Sequence, residues 1–319
     1  MPEDFDEQTT TDEIVRGRDL SGKHALITGA SGGLGAETAR ALASVGAHVT
    51  LAARDLAKAE AVAETIRAGS SGGQVSVTEL ELTSLESVRG CAARFLDENG
   101  RLDILVNNAG IMGCNFERTS RGWELQLATN HIGHYLLTCL LVPALRAGAS
   151  ARVINVSSAG HRLADVDLKD PHFESRDYDK WVAYGQSKTA NILFSVELDR
   201  RLAASGVRAI AVHPGMIMTE LARYLTPADI QDLMSRAAPG DSPPSFKTVE
   251  AGAATSVWAA TSDSLENRGG LYCENCHVAE PATDDDSISG VAAYALNSES
   301  ARRLWTLSEG WVGEEFALS

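Results

Sequence analysis

The sequence predicts an α/β chain built as a doubly wound parallel sheet with helices on both faces. Three observations carry this. Short β-branched or aliphatic runs alternate with longer helical patterns from residue 23 onward, a glycine-rich turn follows the first run directly, and no internal repeat or interior linker divides the chain. KHALITG (23–29) is a strand by its apolar run and GLGAETARALASVG (33–46) a helix by its small, helix-forming residues. AHVTLAA (47–53) is a second strand, and DLAKAEAVAETIRAG (55–69) a second helix opened by an aspartate. QVSVTELEL (74–82) alternates as a strand does, SLESVRGCAARFLDENG (84–100) is helical, LDILVNNAG (102–110) is a strand, and Trp123 to Leu145 is a long helix. ARVINVSS (151–158) is a strand, AYGQSKTANILFSVELDRRLAASG (183–206) a helix, and VRAIAVHPG (207–215) a sixth strand. In such a sheet the ligand sits beyond the carboxyl ends of the strands, which gathers TGASGGLG, AAR, NNAG, VSS and HPG around one crevice.

Residues 21–319 are therefore expected to form a single dinucleotide-binding and catalytic domain, with two irregular segments, 159–182 and 216–250, as substrate lids. Residues 1–20 hold seven acidic residues against Arg16 and Arg18 and are expected to be an acidic, partly disordered extension. A formal charge of −15 excludes a nucleic-acid or anionic-membrane surface as the main partner. No apolar run reaches membrane-spanning length and MPEDFDEQ lacks the layout of a secretory signal, so a cytoplasmic protein is expected. Five scattered cysteines suggest reduced thiols; CENCH (273–277) resembles haem, zinc or redox patterns in part, but structural cysteines are the favoured reading and no metal site is expected.

The turn TGASGGLG (28–35) has the context that a nucleotide phosphate needs: Gly29, Gly33 and Gly35 permit a tight turn and close backbone approach, and the following helix N-terminus offers unpaired N–H groups. At the end of the second strand, where a carboxylate would accept the ribose hydroxyls of NAD, the sequence has Ala53 and then Arg54. A guanidinium suits a 2′-phosphate, so NADP(H) is preferred over NAD(H). Tyr184 and Lys188 stand four apart on a predicted helix and so project from one face.

Together these motifs resemble the short-chain dehydrogenase/reductase family, nearest its retinol-dehydrogenase-like group and the bacterial relatives of that group. The resemblance rests on TGASGGLG, NNAG at 107–110, Asn130 in LATNHIGHYLL, VSS at 156–158, YGQSK at 184–188 and HPGMIMT at 213–219, in family order, with GAHVTLAARD and SKTANILFSVEL as cues to the group. It implies a Rossmann-type fold and an alcohol-to-carbonyl oxidoreductase in which Tyr184 is general acid or base and Ser158, in place of Ser157, holds the substrate oxygen. Lys188, together with the positive charge of oxidised nicotinamide, would lower the phenol pKa; Lys188 would also bind the nicotinamide ribose, and Asn130 would hold a water beside Lys188.

By the same resemblance the turn residues Gly29, Ser31, Gly33, Leu34 and Gly35, the pair Glu81 and Leu82, the segment Asn108, Ala109 and Gly110, and Pro214, Gly215, Ile217 and Thr219 would contact the cofactor, together with Tyr184 and Lys188. Glu81 departs from the aspartate usual in the family. The substrate is expected to be a small-molecule alcohol, ketone or aldehyde of apolar character; Phe173, Tyr178 and Trp181 in the first lid and Leu221, Tyr224, Leu225, Ile230, Leu233 and Met234 in the second are candidates for its wall, although a helical pattern such as that of the second is more often ordinary core packing. A homodimer or homotetramer paired through the helices bearing Asn130 and Tyr184 is implied by resemblance alone. A catalytically silent dinucleotide sensor is the alternative from another class, and a sugar-nucleotide epimerase is disfavoured by the TGxxxGxG spacing.

Overall fold

The computed structural model describes residues 5–69, 73–148, 150–236, 246–282 and 289–318. Its sheet is assembled from β1 (His24–Thr28), β2 (His48–Ala53), β3 (Val75–Glu79), β4 (Ile104–Asn107), β5 (Arg152–Val156), β6 (Arg208–His213), β7 (Leu271–Glu274) and β8 (His277–Val278). They lie in the order β3-β2-β1-β4-β5-β6-β7-β8, parallel up to β7, with β8 pairing antiparallel at the edge. The order reverses between β1 and β4, the switch point at which a doubly wound sheet opens its crevice.

Strand alternation divides the core in two. Leu26, Leu105, Val153 and Ala209 face one side, where they pack with helices α4 (Leu85–Glu98), α6 (Gly133–Ala147), α7 (Lys180–Leu202) and α10 (Ser298–Val312). Their neighbours Ala25, Ile27, Ile104, Ile154 and Ile210 face the other, against α1 (Thr11–Val15), α2 (Gly33–Ser44), α3 (Leu56–Gly69) and α9 (Val249–Thr261). Because both faces are covered, the strands read as continuous apolar runs.

The fold departs from the sequence expectation in three places. The acidic N-terminal segment is not a solvated tail over the described residues: Ile14 and Val15 are buried, the Glu13 carboxylate accepts from the Thr10 N–H at 2.8 Å, and Arg40 of α2 holds both Asp12 and Glu37 at 2.7 Å. The segment is docked by its apolar residues and by the one ion pair from Asp12 to Arg40, which composition alone does not reveal. The strands β7 and β8 were not foreseen, being four and two residues long, too short for a period to register. The helix expected from Trp123 to Leu145 is broken into α5 (Leu125–Leu127), a π-turn over Ala128–Ile132, and α6. Asn130 sits inside the π-turn.

Candidate active site

The glycine turn after β1 is a cradle that side chains would fill. Gly29 has φ +66° and a Cβ there would stand 2.8 Å from the Ala109 Cα, while one on Gly35 would stand 2.6 Å from the Gly29 carbonyl. Gly32, the residue before α2, offers no side-chain cap, so the N–H groups of the first turn remain directed at the crevice. These features fit a dinucleotide pyrophosphate. Thr28 ties the turn to the β4 end, its hydroxyl receiving the N–H groups of Asn108 and Ala109 at 2.9 Å each. Ser31, Gly33, Leu34, Asn108, Ala109 and Gly110 all line the resulting cleft, whose volume is about 1090 Å³. Asn107 turns inward instead, donating to Thr138 and Asn155 at 2.9 and 2.8 Å.

At the β5 end, Ser158 begins a 3-10 turn (Ala159–Leu163) and its hydroxyl accepts the Gly160 N–H at 3.0 Å. Ser157 points away and donates to the Lys188 carbonyl at 2.8 Å. Asp179 caps α7 by accepting from Trp181 and Val182, and that helix carries Tyr184 and Lys188 into the cleft on one face. The Tyr184 ring lies over Gly160, where a Cβ would stand 2.7 Å from its Cε1. The Lys188 ammonium donates to the Val156 carbonyl at 3.0 Å and stands 5.7 Å from the centre of the Tyr184 ring.

The protein's own groups act on the phenol and the ammonium in opposite directions. Burial pushes the Tyr184 pKa up to about 12, opposed only by hydrogen bonding to Ser158, and burial pulls Lys188 down to about 8. The Lys188 ammonium is directed at a backbone carbonyl, so among the protein's own groups desolvation of the phenol is the larger influence. The phenol is thus a stored proton at neutral pH.

Asn130 is fully buried and reaches α7 through a side-chain chain: its amide donates to the Ser187 hydroxyl at 2.9 Å, and Ser187 donates to the Tyr184 carbonyl at 2.7 Å. Its amide oxygen receives the Ile111 N–H at 2.9 Å. The space above Gly110 separates Asn130 from Lys188, since a Cβ there would lie 3.3 Å from the Asn130 Oδ1 and 3.6 Å from the Lys188 Nζ.

On the β6 side, Gly215 has φ +95° and rests on the Lys247 stem, which a Cβ would approach to 2.7 Å. Lys247 in turn donates to Asn275 at 2.7 Å. Pro214, Gly215, Ile217 and Thr219 line the cleft, with Ile217 seated against Gly252 of α9. Arg54 and Glu81 reach the rim at the β2 and β3 ends, where they pair at 3.4 Å, Arg54 being three-quarters exposed. Glu81 also accepts the Thr83 N–H and hydroxyl at 3.0 and 2.8 Å, so it closes its own turn as well as facing the cleft beside Leu82.

Only part of each expected lid faces the cleft. Phe173 and Trp181 are buried behind the wall, and Tyr178 is engaged by Glu124 and Gln126; the first segment contributes Ala159, Gly160, Arg162 and Leu163 instead. From the second, Leu221, Tyr224, Leu225, Ile230 and Leu233 line the cleft, joined by Phe246; the side chain of Met234 lies outside the described residues. Helix α8 (Pro227–Arg236) is latched to the start of α7 by Lys180 with Asp229 at 2.5 Å and by the Trp181 Nε1 with Asp232 at 2.7 Å. Sequence reasoning missed Lys58, which lines the cleft from the first turn of α3, as well as Gly160, His213 and Lys247. A second cation close behind Arg54 in the sequence was a usable signal for the first.

The CENCH run is a hairpin turn: Asn275 and Cys276 take left-handed φ values of 47° and 58° between β7 and β8. All five cysteines are buried and free, and burial pushes Cys273 up to about 12.

Fold and crevice together define an α/β enzyme that holds a dinucleotide at its sheet switch point. Residues 23–229 match the family described as short chain dehydrogenase. The chain belongs to that family and is an oxidoreductase of alcohol and carbonyl groups that uses a nicotinamide dinucleotide. It is 41% identical to human (Homo sapiens) retinol dehydrogenase 12 over 289 residues, which covers 91% of this chain and 86% of that protein. Among solved structures it resembles an uncharacterised protein of Mycobacterium paratuberculosis, with TM-score 0.73 and 37% identity over 97% of this chain and 99% of the other. It also resembles the angucycline C-6 ketoreductase LanV with bound NADP, with TM-score 0.64 and 26% identity over 81% of this chain and 95% of the other. Among the described residues no helix is long and apolar enough to cross a membrane.

Four buried imidazoles and the half-buried His213 make stability sensitive to acid. Burial depresses His131 and His213 to about 3 and His134, His161 and His172 to about 4, from an ordinary 6.5. The unfolded chain takes up protons below pH 6.5 while the folded one stays neutral, so stability is complete above that value and is lost as pH falls toward 4. The melting temperature is expected to drop by at least about 5 °C between pH 7 and pH 5; equal melting temperatures would contradict neutral burial of these rings.

Proposed function

We propose that this chain interconverts an alcohol and a ketone or aldehyde on a moderately apolar substrate, prefers NADP(H) over NAD(H), and uses Tyr184 as its general acid or base. One observation carries the reading: Tyr184, Ser158 and Lys188 line the cleft between the glycine cradle and an apolar wall that includes Leu221, Tyr224, Leu225 and Ile230. When bound, the cofactor supplies or accepts the hydride. Ser158 would hold the substrate oxygen at the Tyr184 hydroxyl, which donates its proton in reduction and recovers it in oxidation. Lys188 and the Asn130 link through Ser187 would keep α7 in register and give the proton a route toward solvent.

The preference for NADP(H) is supported by Arg54 and Lys58 at the rim beyond β2, where no carboxylate stands at position 53 to accept ribose hydroxyls. Binding of NADP by the angucycline ketoreductase is consistent with it. Arg54→Ala is expected to lower affinity for NADPH relative to NADH by about tenfold, the cost of an exposed charge-assisted contact. Fluorescence titration with both cofactors checks this, and an unchanged affinity ratio would remove the assignment. The function as a whole is tested by turnover of carbonyl and alcohol panels with each cofactor; binding of cofactor without turnover in either direction would favour the silent sensor.

A further inference from the structure

We propose that His161 is a positioning residue for Ser158, a buried imidazole that ties the serine turn to the C-terminal segment 289–296. This segment lies beyond residues 23–229, which the family description matches, and through His161 it sets where the Ser158 hydroxyl stands. The inference rests on the reading that Ser158 holds the substrate oxygen.

His161 lies in the 3-10 turn that follows Ser158, and its side chain is fully buried behind the cleft wall. Both ring nitrogens are engaged. Nδ1 stands 2.8 Å from the Ser158 carbonyl oxygen, and Nε2 stands 3.1 Å from the Ala292 backbone nitrogen. A carbonyl only accepts and a backbone N–H only donates, so these partners call for a neutral ring with its proton on Nδ1. Burial acts in the same direction, pulling the ring pKa down to about 4. The imidazole is therefore a bridge of fixed length and fixed polarity between the serine turn and the C-terminal segment.

Both ends of the bridge are anchored. The Ser158 carbonyl also receives the His161 N–H at 3.0 Å, and the Ser158 hydroxyl accepts the Gly160 N–H at 3.0 Å. The His161 carbonyl receives the Tyr294 hydroxyl at 2.8 Å and the Thr189 hydroxyl at 3.0 Å, and Thr189 follows Lys188 directly on α7. On the far side, Glu274 of β7 accepts the Ser289 hydroxyl and the Gly290 N–H at 2.8 Å each, and Arg162 donates to the Ser289 carbonyl at 2.8 Å. The Tyr272 ring of β7 lies 4.9 Å from the imidazole. One side chain thus refers Ser158 to the sheet edge and, through its own carbonyl, to the helix that carries Tyr184.

His161→Asn and His161→Gln separate this role from packing. The Asn amide nitrogen falls where Nδ1 stands and keeps a donor for the Ser158 carbonyl. The Gln amide reaches toward Ala292 and leaves that carbonyl without its side-chain donor. On the carbonyl that turns over best, Gln is expected to lower kcat by about 10- to 100-fold, as a displacement of up to about 1 Å would, and Asn by no more than about threefold. Affinity for NADPH should be kept in both. Packing alone predicts the reverse order, because Asn leaves the larger void, so equal losses or a greater loss in Asn would overturn the proposal. In a Ser158→Ala background His161→Gln is expected to cost less than about twofold more, since the residue it positions is gone. The full loss repeated in that background would show that His161 does not act through Ser158. A Ser158→Ala chain as fast as the unaltered one would instead remove the Ser158 reading, and the proposal with it. Should either His161 variant not fold, Tyr294→Phe decides, because it deletes only the hydroxyl that meets the His161 carbonyl. A fall in kcat of about three- to tenfold with dinucleotide affinity kept is expected, and an unchanged kcat would overturn the proposal.

Discussion

Replacing Tyr184 with Phe is expected to lower kcat by about 10²- to 10⁴-fold, the usual contribution of a positioned proton donor. Affinity for the dinucleotide should change little, because the substitution deletes one hydroxyl and leaves the ring over Gly160. The pH profile adds a directional check. With the phenol at about 12, proton donation to a carbonyl oxygen is available across neutral pH, so reduction is expected to be nearly flat there. Alcohol oxidation needs the phenolate and is expected to rise with pH. Steady-state rates in both directions, with binding measured separately, test this; retention of more than about a tenth of kcat in the variant would assign the proton transfer to another group.

The second large effect is steric. Gly160→Ala puts a methyl carbon 2.7 Å from the Tyr184 Cε1 and 3.3 Å from the Ser158 Oγ, so either the ring or the turn after β5 must move. A displacement on the order of 1 Å at a reacting group costs about 100-fold, and kcat is expected to fall by that order with a smaller change in the melting temperature. Gly310→Ala in α10, where a Cβ meets nothing within 4 Å, is the control that should leave kcat alone. Equal rates for Gly160→Ala and the unaltered chain would mean that Tyr184 does not need its present position.

Much of this site was legible in the sequence because it depends on local geometry. A glycine turn between a strand and a helix, an arginine at a strand end, and a tyrosine and lysine one helical turn apart are all encoded within a few residues. What was not legible depends on contacts between distant segments. Gly160 matters because α7 lays Tyr184 over it, Lys247 because the chain returns beneath Gly215, and the acidic N-terminal segment is docked because Ile14 and Val15 are buried and Asp12 meets Arg40. Phe173 and Trp181 look like lid residues on composition, but their partners draw them behind the wall, and Trp181 spends its indole N–H on Asp232. Burial of the phenol and the ammonium was not legible for the same reason: spacing shows that Lys188 is near, whereas the degree of burial of both groups is a property of the assembled fold.

The most direct test of the central claim follows the absorbance of reduced nicotinamide, with NADPH and NADH in parallel. The substrates should be a panel of apolar ketones and aldehydes set beside small charged ones, with the Tyr184→Phe variant alongside. The account predicts turnover of apolar carbonyls, faster with NADPH at limiting cofactor and lost in the variant. Turnover that survives in the variant, or that is confined to small charged substrates, would contradict it.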